Sequence, residues 1–166
     1  MTEQRTSGVY KFIHSVIAMK PVSRVLAVVA PRVDRVLFKI TNGRTCLSAI
    51  LAGLPMIRLT VVGRKSGTPR VVPLIGIQDR QNPTRYTVIA SNWGKPNYPA
   101  WYHNVMANPQ VKCLIRGKEK QYLATEAQGA EYDRLWADAN AAYLGYQRYL
   151  DRAGRNIPIV ILTPID

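Results

Sequence analysis

The spacing of hydrophobic and polar positions changes character along this chain. Between residues 8 and 42 the apolar positions recur at helical intervals: Tyr10, Ile13 and Ile17 fall on one face, and Val33, Val36, Leu37 and Ile40 follow the same period. Pro21 and Pro31 interrupt this stretch, and Asn42-Gly43 carries a C-cap signal. From Met56 onwards the pattern is that of strands. Met56–Val62 predicts a strand, Gly63–Gly67 a turn and Thr68–Ile77 the return strand of a hairpin. Pro69 and Pro73 restrict that return strand to an edge, a bulge or an entrance, because proline cannot donate to a ladder. Arg85–Ala90 predicts a third strand, Ser91–Tyr98 a loop, and Pro99 the first turn of a short helix ending near Asn108-Pro109. Val111–Ile115 and Gln121–Thr125 read as strands around a turn at Arg116–Glu119. Gln128–Tyr143 reads as a helix with Leu135, Trp136 and Ala139 on its apolar side, Asp151–Asn156 as a loop, and Ile157–Leu162 as the closing strand. Together these predict an α+β chain, a barrel-like sheet of about six strands with helices inserted between them. A basic helical segment, 1–45, precedes a barrel domain, 46–166.

Length and apolar content (166 residues, 47%) suit a soluble domain with a real core. The charge changes the picture. Lys and Arg total 23 against 10 acids, a formal +13, so an anionic partner is expected. Residues 1–45 carry 8 − 2 = +6 of it and residues 46–166 carry 15 − 8 = +7. Cys46 and Cys113 form no disulfide framework, and with His14 and His103 they offer no metal-ligand spacing. A reduced, cytoplasmic setting is the expectation. The apolar run Phe12–Met19 contains His14 and ends at Lys20, which does not read as a secretory leader, and no stretch of about 18 apolar residues predicts a membrane span.

Three segments could carry chemistry. Gly63-Arg64-Lys65-Ser66-Gly67, with Arg70 beyond it, puts cations and approachable backbone N–H groups at a tight turn, a natural anion cradle. The same residues also read as a solvated hairpin tip with cationic edge protection. Ser91-Asn92-Trp93-Gly94-Lys95 leaves a strand with a hydroxyl and an amide, or is a polar loop. Pro99-Ala100-Trp101-Tyr102-His103-Asn104 opens a helix whose free N–H groups favour anions and whose rings could flank a planar ligand, or anchor a core. Later, Tyr143, Tyr146 and Tyr149 recur every third residue, which on one helix gives a broad phenolic face, either pocket lining or packing. No Ser/His/Asp set or carboxylate pair is legible, so an enzyme built on this chain would rely on a bound cofactor for the hard chemistry. No nucleic-acid module is present beyond charge itself, and no nucleic-acid partner is expected.

Taken in order, these motifs over roughly residues 56–165 resemble the deazaflavin-dependent nitroreductase family, split β-barrel reductases that use coenzyme F420. The resemblance implies a split β-barrel and, as cofactor, F420, an 8-hydroxy-5-deazaflavin with a phosphate and an oligoglutamate tail. It assigns tail and phosphate to Arg64, Lys65, Ser66 and Arg70. It assigns the ring system to Val71, Val72, Pro73, Leu74 and Ile75, to Ile89, Ala90, Ser91 and Asn92, and to Ala100, Trp101, Tyr102, His103 and Asn104. The acceptor side falls to Ser91, Tyr143, Tyr146 and Tyr149. Two departures stand out: Asn92 where the family's best-known nitroreductase carries lysine, and the bulky Trp93 where a small residue is expected. The implied activity is hydride transfer from reduced F420 to a quinone, nitroaromatic or activated enone. The alternative is a lipid-binding barrel at an anionic membrane, engaged through residues 8–42 at the inner face of the cell membrane.

Overall fold

The computed structural model describes residues 54–143 and 145–165, together with Val29, Arg32, Val33, Val36, Leu37 and Ile40, which are helical. The remaining expectations for residues 1–53, including the Asn42-Gly43 cap and the boundary at residue 45, lie outside the described residues.

Six antiparallel strands close into a barrel in the order β1-β2-β3-β6-β5-β4. They are β1 (Met56–Val62), β2 (Pro69–Gln78), β3 (Tyr86–Ile89), β4 (Gln110–Ile115), β5 (Lys118–Glu126) and β6 (Ile159–Ile165). The first hairpin forms as expected, pairing Met56 with Ile75 through to Val62 with Pro69. β1 also pairs with β4, and β6 lies between β3 and β5. Three helices are inserted: α1 (Ala100–Ala107), α2 (Gly129–Ala142) and α3 (Gly145–Ala153).

Alternation along the strands makes two cores. Val160 and Leu162 of β6 point into the barrel with Ile57, Leu59, Val88 and Cys113, and α1 adds Trp101 and Val105 to that cluster. The intervening Ile159 and Ile161 point outward, where Leu135 and Ala139 of α2 and Tyr146 of α3 cover them. Burying such faces on both sides of β6 explains its near-continuous apolar sequence.

Four expectations are corrected. The loop expected over Asp151–Asn156 begins only after Ala153, because Gly154, at φ 61°, is the left-handed residue that ends α3. The three tyrosines do not share one helix: Tyr143 is extended (φ −151°, ψ 108°) and separates α2 from α3. Pro99 caps α1 from an extended conformation and is not its first helical residue. The turn between β4 and β5 is only Arg116-Gly117, so Lys118 and Glu119 already belong to β5.

A charged network fastens α2 to the β2–β3 connection. The side chain of Asp79 is fully buried and accepts from Arg134 at 2.9 and 3.2 Å and from Arg85. Arg85 also reaches Glu131 at 2.9 Å. Burial alone would raise the Asp79 carboxyl, but the hydrogen bonds from Arg134 and Arg85 outweigh it and hold the group well below its ordinary value.

Candidate active site

The turn between β1 and β2 is built by its own backbone. Gly63 N–H donates to Thr68 O at 2.9 Å, Gly67 N–H donates to Gly63 O at 2.8 Å, and Gly67 sits at φ 65°. Ser66 Oγ lies 2.8 Å from Thr68 Oγ1 and 3.5 Å from Arg70 Nη2. A Cβ at Gly63 would come within 2.6 Å of Ser66 Oγ, so a larger residue there would displace the Ser66 hydroxyl from its place beside Thr68 and Arg70. From α1 the buried Asn104 reaches across, its Oδ1 accepting from Arg64 N–H at 3.1 Å. Arg64, Lys65 and Arg70 are exposed, and among the described residues none has a carboxylate within ion-pair distance. Among the described residues their charge is therefore uncompensated.

Beside this turn, among the described residues, the β2–β3 seam of the barrel is only partly paired. β2 pairs with β3 only over Gly76–Gln78. Gly76 N–H donates to Pro55 O on the β1 side, so the alternation of the ladder directs the outward backbone groups of Pro69, Val71 and Pro73 away from β1. Among the described residues no strand pairs there. Pro69 and Pro73 have no N–H to offer, which leaves Val71, with Ile75 next at the same alternation, to donate along this edge. Extending the β2–β3 register puts Ile89 opposite Ile75. The chain then leaves the sheet through Ala90 and Ser91, so the Ser91–Tyr98 loop flanks the same gap.

That loop is tightly wound. Asn92 and Trp93 have positive φ (48° and 59°), as does Gly94 (72°). Asn92 Nδ2 donates to Asn97 O at 2.9 Å. The Ser91 hydroxyl makes no capping hydrogen bond to the 3-10 turn that it opens, Asn92–Gly94. Gly94 packs on α3, where a Cβ would lie 3.1 Å from the Tyr149 backbone, and the Trp93 ring meets Tyr149 edge-on at 6.1 Å.

Although Tyr143 is outside the helix, the three tyrosines still converge, with ring centroids 5.3–6.3 Å apart and the Tyr143 and Tyr149 hydroxyls 3.5 Å apart. Gly145 permits this, since a Cβ there would overlap the Tyr143 ring. Burial pushes the Tyr146 and Tyr149 hydroxyls up, with Tyr143 adding to both, so they remain protonated donors at neutral pH.

The other expected site residues divide between gap and core. Ala90 and Trp101 belong to the barrel interior, while Ile89 and Tyr146 belong to the second core. Val72 and Leu74 pack partly on the barrel core, and Val71 is 51% exposed. Tyr102 and His103 cluster with Tyr98, at 5.2–5.9 Å between centroids. Tyr102 donates to Glu126 at 2.8 Å and its hydroxyl is pushed up to about 12, by burial first and then by Glu126. Tyr98 and Glu126 had no signal of their own in the sequence. The one described cysteine, Cys113, is buried and pushed up to about 12, which makes it inert as a nucleophile.

The F420H(2)-dependent quinone reductase family model matches residues 32–164. The chain belongs to that family. It is an F420-dependent oxidoreductase, and the match begins upstream of the barrel. An F420H(2)-dependent quinone reductase of Mycobacterium tuberculosis (strain ATCC 25618 / H37Rv) is 33% identical over 135 residues, covering 80% of this chain and 88% of that one. A second, putative F420H(2)-dependent quinone reductase of the same organism is 34% identical over 111 residues, covering 67% and 91%. Among solved structures, an F420-H2 dependent reductase (FDR-A) superposes with a TM-score of 0.58 at 36% identity, covering 65% of this chain and 93% of that one. The split-barrel architecture is common to this F420 reductase and the present chain.

Proposed function

We propose that the chain reduces a quinone with reduced coenzyme F420 as the electron donor, the cofactor lying along the open edge of β2. The observation that carries this reading is the uncompensated cationic turn Arg64-Lys65, with Arg70, beside that open edge. A planar head group with a polyanionic tail fits both: ring edge against Val71 N–H and the neighbouring carbonyls, phosphate and carboxylates against the cations. Reduced F420 supplies a hydride when bound. The protein's part is orientation and proton handling. Asn104 holds the turn through Arg64 N–H. The Ser91–Tyr98 loop packs on α3 through Gly94 and Trp93, and the Ser91 hydroxyl, with the half-buried Tyr149 and Tyr143 hydroxyls, would be the donors for an acceptor oxygen that gains charge, the buried Tyr146 packing behind them. The names of the relatives favour a quinone over a nitroaromatic or an enone. The test is oxidation of reduced F420 by purified protein with a quinone, a nitroaromatic and an enone in parallel. Absence of turnover with the quinone refutes the reading, and faster turnover with the nitroaromatic reassigns the acceptor.

One observation also supports work at a membrane surface from the cytoplasmic side. Val29, Val36 and Ile40 are 43%, 56% and 73% exposed, at helical spacing, within a segment of net +6. Among the described residues no helix is long and apolar enough to cross a membrane, so surface binding is the form proposed. Full-length protein should float with anionic vesicles and not with neutral ones. Equal behaviour with both refutes it.

A further inference from the structure

Arg155, in the connection between α3 and β6, lies 57 or more positions from the Ser91–Tyr98 loop in sequence, yet two of its three guanidinium nitrogens donate to that loop. Its Nε donates to Pro96 O at 2.8 Å and its Nη2 to Asn97 O at 3.0 Å, with Ala90 O at the limit of reach, 3.5 Å. Nη1 donates to Asn156 O at 2.9 Å, which fixes the guanidinium to its own chain. The guanidinium also lies over the Tyr98 ring, 4.3 Å from its centroid. Among the described residues no carboxylate pairs with it. The contacts bracket the loop, touching the residue just before Ser91 and residues near its far end. Between them lie Asn92 and Trp93, two non-glycine residues held at positive φ. Such backbone persists only where surrounding contacts over-determine it. A second arginine, Arg152, reaches Trp93 O at 3.5 Å, beside the Trp93–Tyr149 ring contact.

We infer that Arg155 is a positioning residue of the acceptor side, stapling both ends of the Ser91–Tyr98 loop so that Ser91 and Trp93 keep their place against α3. The inference rests on the quinone reading for the ligand and on the geometry alone for the staple. A planar fork is required, because the three guanidinium nitrogens donate to three separate carbonyls, those of Pro96, Asn97 and Asn156. Lysine keeps the charge but has no fork.

The test compares wild type, R155K and Y98L, the last removing the ring beneath the guanidinium, together with its contacts to Tyr102 and His103, while leaving the Arg155 hydrogen bonds in place. Amide hydrogen exchange reads the loop through Gly94 N–H, bonded to Ser91 O, and Lys95 N–H, bonded to Asn92 O. Both amides should exchange about tenfold faster in R155K and less so in Y98L, with the barrel strands unchanged. Affinity for a 1,4-naphthoquinone, followed by tryptophan quenching without turnover, should fall about fivefold or more in R155K, while F420 affinity stays within about twofold. Unchanged exchange at Gly94 and Lys95 in both variants overturns the inference. Faster exchange with unaltered quinone affinity overturns it as well. A wild type that binds the quinone but does not turn over removes the reductase reading and leaves the Arg155 result standing on binding. A wild type that binds no quinone overturns both.

Discussion

At the scale of single residues, the decisive fact is which cations lack partners. Arg85 and Arg134 are consumed by Asp79, and Arg58 faces Glu119 at 3.8 Å, while Arg64 and Lys65 have no carboxylate among the described residues. Exposed cations in a turn contribute little to stability, whereas a charge-assisted contact to phosphate or carboxylate contributes about 1.5–3 kcal/mol. The double variant R64A/K65A removes two such contacts and should therefore lose about a hundredfold or more in F420 affinity with almost no change in melting temperature. A fluorescence titration at two salt concentrations checks this, and the wild-type affinity should be the more salt-sensitive. Ser91 gives a second expectation. Its hydroxyl is spared from capping, so S91A should leave the fold and the F420 affinity intact while lowering quinone turnover about five- to a hundredfold, the cost of one donor removed from a developing oxyanion. Steady-state kinetics at saturating reduced cofactor would read it. Wild-type turnover in S91A would mean that the hydroxyl has no part in the chemistry.

At the scale of elements, the site depends on glycines and prolines as much as on polar side chains. G145A is the cleanest probe. The added methyl must displace the Tyr143 ring, which breaks the contact with Tyr149. The variant should lose about 1–3 kcal/mol of stability, as overpacking does, and should change quinone KM without changing F420 affinity. Chemical denaturation and kinetics together check this. Elements with a clean period are readable in advance: β1 spans Met56–Val62 as expected, and the two prolines, which allow an edge, a bulge or an entrance, fall in the part of β2 that pairs with β1 alone. Less was legible where the deciding contact is long-range. The α2–α3 break at Tyr143 has no Gly or Pro at the break itself, and a three-residue tyrosine rhythm reads equally well as one continuous helix. The Asp151 boundary failed because Gly154, three residues on, is the true stop. Trp93 was noted as oversized for its position, but only the fold brings Tyr149 to its ring.

At the scale of the whole molecule, one buried carboxylate ties the second core's main helix to the barrel. Removing one partner of a buried, hydrogen-bonded charge network costs about 3–5 kcal/mol, and D79N should lose stability of that order near neutral pH. The sign of its pH dependence follows from the depressed carboxyl. Asp79 contributes fully above its unfolded value of 3.8 and loses that contribution as pH falls towards its much lower folded value. The stability gap between wild type and D79N should therefore narrow below about pH 4. Melting curves across pH decide it, and a constant gap would mean that the carboxylate's charge is not what the two arginines hold.

The position of β6 has a consequence for the birth of the molecule. It is the last strand of the barrel in chain order, yet it is an interior member of the sheet, pairing Tyr86 with Leu162 on one side and Gln121 with Ile165 on the other. Both apolar clusters need it. A nascent chain that has already left the ribosome tunnel as far as α3 still holds β3 and β5 apart, with two apolar surfaces facing water. Folding must wait for the final strand to emerge, and during that interval the chain is exposed to aggregation and most in need of a chaperone.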